Sequence, residues 1–203
     1  MTNKIVIIPT YNEKDNVPII YNKIRKYNPN LDIVFIDDNS PDGTKDEIRK
    51  IIQKDKSVKL ILRKKKQGIG SAHKAAILWS LKKKYKLCIT MDSDLTHNPK
   101  LIPKMIKLSK KYDLVQTNRF LNKNSIKSWP FYRRFLTKLR YILLYLLLGI
   151  KCDSSGAFRC YNFNKLNTKF IFYAKNNSYS FFWESIFILS KKYNVKEIPI
   201  KLP

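Results

Sequence analysis

A doubly wound α/β sheet is the fold this sequence predicts, and three observations predict it. Short apolar runs rich in Ile and Val recur every 25 to 30 residues through the first half of the chain, the length of a strand–helix–strand unit. The runs are continuous rather than alternating, as in strands covered on both faces of a parallel sheet. Amphipathic segments of helical period fill the gaps between them. In such a sheet a ligand sits beyond the carboxyl ends of the strands, so the residues that follow each strand are where chemistry is expected.

The first strand, Lys4–Ile8, runs into Pro9-Thr10-Tyr11-Asn12-Glu13. An aromatic ring beside a carboxylate can stack on a base and bind its edge or its ribose. Thr10 or Asn12 can equally cap the next helix, Asp15–Lys26, with Glu13 at the positive end of its dipole. The second strand, Ile33–Ile36, ends in Asp37-Asp38-Asn39-Ser40-Pro41-Asp42-Gly43-Thr44. Asp42 and Thr44 read as the turn and cap of a helix over Lys45–Lys54. The third strand, Val58–Leu62, leads to Gly68-Ile69-Gly70 at the start of a helix over Ile69–Lys83, which suits a close backbone approach to phosphate. No G-x-G-x-x-G follows the first strand and no G-x-x-x-x-G-K-[ST] occurs, which excludes the nicotinamide and P-loop sites. The fourth strand, Leu87–Met91, ends in Asp92-Ser93-Asp94-Leu95-Thr96-His97. Two carboxylates at i and i+2 repel unless a cation lies between them, and oxygen ligands on a loop suit Mg²⁺ or Mn²⁺ bridging phosphates. A helix over Lys100–Lys111 and a strand over Leu114–Thr117 complete the regular half.

After about Asn118 the pattern changes. A long helical segment, Phe131–Gly149, is followed by a polar stretch, Cys152–Tyr161, two further helical segments and a last strand, Val195–Ile200. There is no internal repeat and no linker, so a single domain over residues 1–203 is expected, with a change of pattern between residues 1–118 and 119–203.

The 203 residues carry 41 Lys and Arg against 15 Asp and Glu, a formal charge of +26. That balance implies a polyanionic partner, while 44% hydrophobic residues exclude a basic disordered tail. Part of the excess is compositional, because Lys, Asn and Ile rise together. The informative part is local: from Leu114 to Cys152 there is no acidic residue, yet Arg119, Lys123, Lys127, Arg133, Arg134, Lys138, Arg140 and Lys151 all fall there. The same stretch holds the apolar run Tyr141–Ile150, far below the ~18–20 residues that span a bilayer. A basic helix with an apolar face predicts a helix lying in a membrane interface, with an anionic membrane surface as partner. Aromatics interleaved with cations over Trp129–Tyr141 offer a nucleic-acid reading, but the acidic strand ends oppose it and no nucleic-acid partner is expected. Cys88, Cys152 and Cys160 have no metal or disulfide spacing, and the first apolar run stops at Pro9, so a reduced, cytoplasmic protein without signal peptide or transmembrane segment is expected.

The ordered motifs IPTYNE, DDNSPDGT, QGIGSAHKA, MDSDLTHNP, VQTN followed by Arg119, WPFYRRFLT and DSSGAFRCY resemble the glycosyltransferase family 2 enzymes of GT-A fold, and among them the dolichol-phosphate (polyprenyl-phosphate) mannosyltransferases. The resemblance runs from about Ile5 to Leu202. It implies a Rossmann-like, mainly parallel sheet and an inverting, metal-dependent transfer of a sugar, mannose from GDP-mannose first, to dolichyl or polyprenyl phosphate. It places Pro9, Tyr11, Glu13, Ile36 and Asp38 at the base and ribose of the donor. Asp92, Ser93 and Asp94 fall at the metal and diphosphate, Thr96 at a further metal-side position, and Arg119 beside the donor phosphate. Arg133 and Thr137 match an Arg-x-x-x-Ser pair for the acceptor phosphate, on one face of a helix. Asp94, Arg119 and Arg133 would carry the catalysis, with Mg²⁺ or Mn²⁺ as cofactor. The resemblance also implies a peripheral place on the cytoplasmic face of a membrane, with a membrane-anchoring protein as a possible partner. UDP-glucose as donor, or a soluble or polysaccharide acceptor with Glu184 as base, is the alternative within the family. Arg140 stands where relatives often carry asparagine. Relatives continue past the strand before Lys201 into a segment with donor-side cations, and Lys201 or a neighbour is one candidate to substitute.

Overall fold

The computed structural model describes residues 2–202. Seven strands form one mixed sheet: β1 Lys4–Thr10, β2 Asp32–Asp37, β3 Val58–Leu62, β4 Leu87–Thr90, β5 Leu114–Asn118, β6 Arg159–Asn162 and β7 Val195–Pro199. Their spatial order is β3-β2-β1-β4-β6-β5-β7. Every pairing is parallel except the two made by β6, which runs antiparallel to β4 and β5. Seven helices accompany the sheet: α1 Asn16–Tyr27, α2 Thr44–Lys54, α3 Ile69–Lys82, α4 Ile102–Ser109, α5 Phe131–Leu148, α6 Lys169–Phe172 and α7 Ser180–Ser190.

The continuous apolar runs do what their composition requires. β2 and β5 are buried at every position, and their alternate side chains feed two separate cores. Ile7, Val34 and Ile36 pack with Ala76, Phe181 and Ile186 on the α3–α7 face. Val6, Ile8 and Phe35 pack with Ile20, Ile48 and Met105 on the α1–α2–α4 face. The five expected parallel strands are present, with boundaries moved by no more than a few residues.

The expected polar stretch contains a strand. β6 is fully buried although its sequence is Arg-Cys-Tyr-Asn, so no apolar run announces it. Its arginine is the reason. Arg159 is completely buried, donates to Ser185 Oγ at 2.8 Å and to the Phe182 carbonyl at 2.7 Å, and lies over the Phe182 ring. Two hydrogen bonds and a ring face replace part of the water that a buried guanidinium loses, and its Nε has no hydrogen-bond partner among the described residues. Arg159 thereby fastens α7 to the middle of the sheet.

Gly68 and Gly70 also answer a packing demand. A Cβ on Gly70 would lie 2.6 Å from the Phe181 Cβ and 2.8 Å from the Ser178 carbonyl oxygen, and one on Gly68 2.3 Å from the Asn177 carbonyl oxygen. Ser71 N–H donates to that Asn177 carbonyl at 3.2 Å. The glycines let the start of α3 press against residues 177–181.

α5 sits apart from both cores. None of its 18 residues is buried; Arg134, Thr137, Tyr141 and Leu144 are partly covered, and Tyr141 rests on Phe120 at 4.4 Å. No helix among the described residues is long and apolar enough to cross a membrane.

His73, on α3, is fully buried between Phe181 and Phe182, and its Nε2 has no hydrogen-bond partner among the described residues. Burial first, then the charge of Arg159, pushes its pKa down to about 3. The unfolded chain takes up that proton near pH 6.5 and the folded chain does not, so stability is complete above about pH 6.5 and falls as pH drops toward 3. Denaturant titrations at pH 7 and pH 4.5 should show a smaller acid loss for His73→Leu than for the unaltered protein, by a few kcal/mol in order of magnitude.

Candidate active site

The loops after β1, β2 and β4 meet at one edge of the sheet. Three backbone N–H groups of the first loop are satisfied by side chains of the second. Asn12 N–H donates to Ser40 Oγ at 3.0 Å, Glu13 N–H to Thr44 Oγ1 at 2.9 Å, and Lys14 N–H to Asp42 Oδ2 at 3.1 Å. Asp42 also accepts from Thr44 N–H and Oγ1, which makes the expected turn, while the N-cap of α2 is Gly43 and no side chain caps the helix. Asp37, fully buried, accepts from Thr10 Oγ1 at 3.0 Å, Ser40 N–H at 2.9 Å and Ser40 Oγ at 2.6 Å. Asn12 and Asn39 both adopt φ of +59°, a region asparagine tolerates better than most residues. The DDNSPDGT run is thus a clamp on the loop that carries Tyr11 and Glu13.

Asp38 turns the other way. Its carboxylate meets Arg63 through two nitrogens, Nε and Nη2, the latter at 2.6 Å. Arg63 Nη1 continues to Ser71 Oγ at 2.7 Å. Both partners are nearly buried, at 9% and 8% side-chain exposure, so Asp38 reaches a ligand already neutralised. Arg63 is a residue that motif reading did not single out; only its place directly after β3 could have suggested it.

The DSD loop is held as tightly. Ser93 Oγ donates to the Pro9 carbonyl at 3.1 Å, tying β4's loop to β1. His97 Nδ1 accepts from Asp92 N–H at 2.9 Å while its ring stacks on Phe158. His97 therefore shapes the loop. Asp94 Oδ1 accepts from Thr96 N–H at 3.1 Å and Thr96 Oγ1 at 2.6 Å, and Leu95 between them takes φ of +65°, a strained value for a branched residue. The Asp92 pKa is raised, first by burial and then by Asp94 and Glu13, against the opposing charges of His97 and Arg119. Asp92 Oδ1 is buried without a hydrogen-bond partner among the described residues.

These loops enclose a cavity of about 380 Å³. Pro9, Tyr11, Glu13, Asp38, Asp92, Ser93 and Asp94 all line it, so seven of the expected donor-site residues converge. Lys66, Gly68, Ile69, Ala72, Ser178 and Tyr179 complete the wall. Lys66 Nζ lies 3.8 Å from the centre of the Tyr11 ring, and Tyr179 faces Asp92 and Asp94, whose charges add to burial in raising its phenol pKa. Neither Lys66 nor Tyr179 was expected at the site; their distance in sequence from the acidic loops hides them. Ile36 departs from expectation: it is fully buried in the α3-side core and presents no surface to the cavity. Thr96 lies beside Asp94 but outside the cavity lining.

Arg119 Nε is paired with Asp153 Oδ2 at 2.8 Å. Trp129 lies between two cations: its ring centre is 4.0 Å from the Arg133 guanidinium carbon and 5.9 Å from that of Arg119. Arg133 and Thr137 share α5 at the expected spacing. Glu184 is elsewhere. It accepts from Asn176 N–H at 3.0 Å and faces a separate groove with Tyr173, Lys175 and Trp183.

A cation fits the acidic loop. Asp92 offers an unpaired buried oxygen, and two carboxylates two residues apart are a sparse ligand set of the kind Mg²⁺ or Mn²⁺ completes with phosphate oxygens. No group of three or more His, Cys, Asp or Glu that could hold a metal by itself occurs among the described residues.

The chain is similar to known proteins over most of its length. The Glycosyl transferase family 2 profile matches residues 5–191. An undecaprenyl-phosphate mannosyltransferase of Micrococcus luteus is 31% identical over 163 residues, 80% of this chain and 67% of the relative. A polyprenol monophosphomannose synthase of Mycolicibacterium smegmatis is 30% identical over 205 residues, 97% of this chain and 76% of the relative. Among solved structures, glucosyl-3-phosphoglycerate synthase of Mycobacterium tuberculosis, in complex with Mn²⁺, UDP and phosphoglyceric acid, superposes with a TM-score of 0.62 at 15% identity, covering 97% of this chain and 68% of that one. The chain belongs to glycosyltransferase family 2, is a glycosyltransferase, and has the GT-A fold.

The buried Arg63–Asp38 pair yields a stability prediction. Arg63→Met leaves a buried carboxylate unpaired and should cost about 3–5 kcal/mol. Asp38→Asn together with Arg63→Met should cost less than the sum of the single changes, as read from urea midpoints in a double-mutant cycle.

Proposed function

We propose that this chain transfers mannose from GDP-mannose to a polyprenyl or dolichyl phosphate, with inversion at the anomeric carbon. The observation that carries the reading is the pairing of two sites. One is an acidic, aromatic cavity at the strand ends. The other is an acid-poor helix carrying Arg133 and Thr137, near Arg119, which shares the Trp129 ring with Arg133 and whose charge acts on Asp92. The two curated relatives, both named for mannosyl transfer to polyprenols, support the acceptor and the sugar.

Asp92 and Asp94 would hold Mg²⁺ or Mn²⁺ against the donor diphosphate. When bound, such an ion supplies Lewis-acid stabilisation of the departing nucleoside diphosphate. Tyr11, Glu13 and the neutralised Asp38 would hold the nucleoside end. The acceptor is a phosphate monoester, largely ionised at neutral pH because its second pKa is near 6, and it needs no strong base. Arg119 and Arg133 would hold its oxygens in line with the anomeric carbon, so orientation and preorganised charge do most of the work. Glu184 faces another groove, which disfavours the reading with Glu184 as base for a soluble acceptor.

α5 suits an acceptor carried by a membrane. Phe131, Phe135, Leu136, Ile142, Leu146 and Leu147 are each half exposed or more and fall on one outward arc, flanked by Arg133, Arg140 and Lys138. Apolar side chains with cations at both borders match an anionic bilayer surface. The protein would then lie peripherally on the cytoplasmic face.

Transfer of labelled sugar from a panel of GDP- and UDP-sugars to a polyprenyl phosphate tests the proposal. GDP-mannose should be the preferred donor, and Asp94→Ala should lower turnover at least about a hundredfold with an unchanged melting temperature. No transfer to lipid from any donor would overturn it. Independently, Leu143→Glu with Leu147→Glu should cut co-sedimentation with vesicles containing anionic lipid several-fold and leave nucleotide binding intact.

A further inference from the structure

Arg140 lies on the same side of α5 as Arg133 and Thr137, seven and three residues further along the helix. Its Nη2 donates to Ser155 Oγ at 2.7 Å. Ser155 Oγ and N–H each meet Asp153 Oδ1 at 3.2 Å. The other oxygen of that carboxylate accepts from Arg119 Nε at 2.8 Å and Arg119 N–H at 3.1 Å. Arg119 and Arg140 are therefore linked through one buried acid. Their charges also feel each other: burial first, then Arg119, holds the Arg140 pKa below its usual value, with Asp153 opposing.

One carboxylate cannot neutralise this group. Arg119 is linked to Arg140 through Asp153 and Ser155, and to Arg133 across the Trp129 ring. The nearby acid, Glu197, is engaged by neutral donors: the Gln116 and Asn118 side-chain amides at 2.7 Å each and Asp153 N–H at 2.8 Å. Three guanidinium groups thus face one directly paired carboxylate. Like charges held together by fixed hydrogen bonds are relieved by a bound dianion, and a guanidinium fork offers a phosphate two donors at once. Arg140 uses Nη2 to hold its place on Ser155, which leaves its other N–H groups for such a ligand.

We propose that Arg140 is a third phosphate-binding arginine, which with Arg119 and Arg133 grips the phosphate monoester of the acceptor. The assignment rests on the acceptor reading given above and adds one residue to it.

Calorimetric titration of the full chain with hexyl phosphate, a monoester without a prenyl chain, tests it apart from turnover. Arg140→Gln should weaken hexyl phosphate binding about tenfold or more, and Arg140→Lys by less. GDP binding in the presence of Mg²⁺ should stay within twofold in both variants. Inorganic phosphate should show the same dependence on Arg140, and hexanol should not bind. The proposal is overturned if Arg140→Gln binds hexyl phosphate as the unaltered protein does, if the unaltered protein shows no saturable binding, or if GDP affinity falls in parallel. Arg140-dependent binding without any sugar transfer would sustain this assignment while removing the transferase acceptor reading. Transfer that is unaffected by Arg140→Gln, with unchanged hexyl phosphate affinity, would do the reverse.

Discussion

Backbone N–H groups at the strand ends must be satisfied before any ligand arrives, and acidic and hydroxyl side chains satisfy them. Asp37, Asp42, Asp94 and Asp153 each accept from a neighbouring N–H, and Asp37, Asp42 and Asp153 also hold a side-chain or backbone donor of another element. In a chain with 15 acidic residues this concentrates them on one edge of the sheet. The remaining geometry depends on it. Tyr11 and Glu13 stand where they do because Ser40, Asp42 and Thr44 hold the loop from beneath. The DSD loop keeps its strained turn because Ser93 and His97 fix its two ends. Preorganisation of this kind removes an ordering cost from ligand binding.

Much of this edge was legible in the sequence. The strands that end in Glu13, Asp38 and Asp94 could be read from apolar runs and the rule that ligands sit at strand carboxyl ends. The role of the SPDGT segment as a turn was also legible, since Asp side chains bond the backbone two residues on, but the cap of α2 falls to Gly43 rather than to Asp42 or Thr44. What could not be read was who pairs with whom. Asp38 looked free, and Arg63 takes it. Ile36 looked like a ligand residue, and it lies in the core, because a strand position two residues before the edge is already covered on both faces. The sequence did not show that the Gly68 and Gly70 pair also answers to the close packing of residues 177–181. β6 was invisible because its burial is secured by hydrogen bonds to Arg159 rather than by apolar composition.

The acceptor side depends on a second constraint. Arg119 is the last common element of the two halves: its charge reaches Asp92 on one side and its side chain is bound to Asp153 on the other. Asp153 is in turn fixed to β5 and β7 through Gln116 and Glu197. A single carboxylate therefore sets the position of a cation whose charge acts on the acidic cavity and whose neighbours lead to α5. The helix above it contributes little to the core, which frees its outer surface for a role other than folding.

The wall formed by Asn177, Ser178 and Tyr179 bears on how the molecule is assembled. It meets the start of α3 across more than a hundred residues of chain, whereas the acidic loops of β1 and β2 meet across about thirty. Contacts of such different span close at different times, since long loops carry the larger entropic cost. The acidic loops of the first half are thus the side of the cavity that costs less closure entropy. The opposite wall, Ser178 and Tyr179, is brought in by the segment that leads into α7, which Arg159 holds against the sheet.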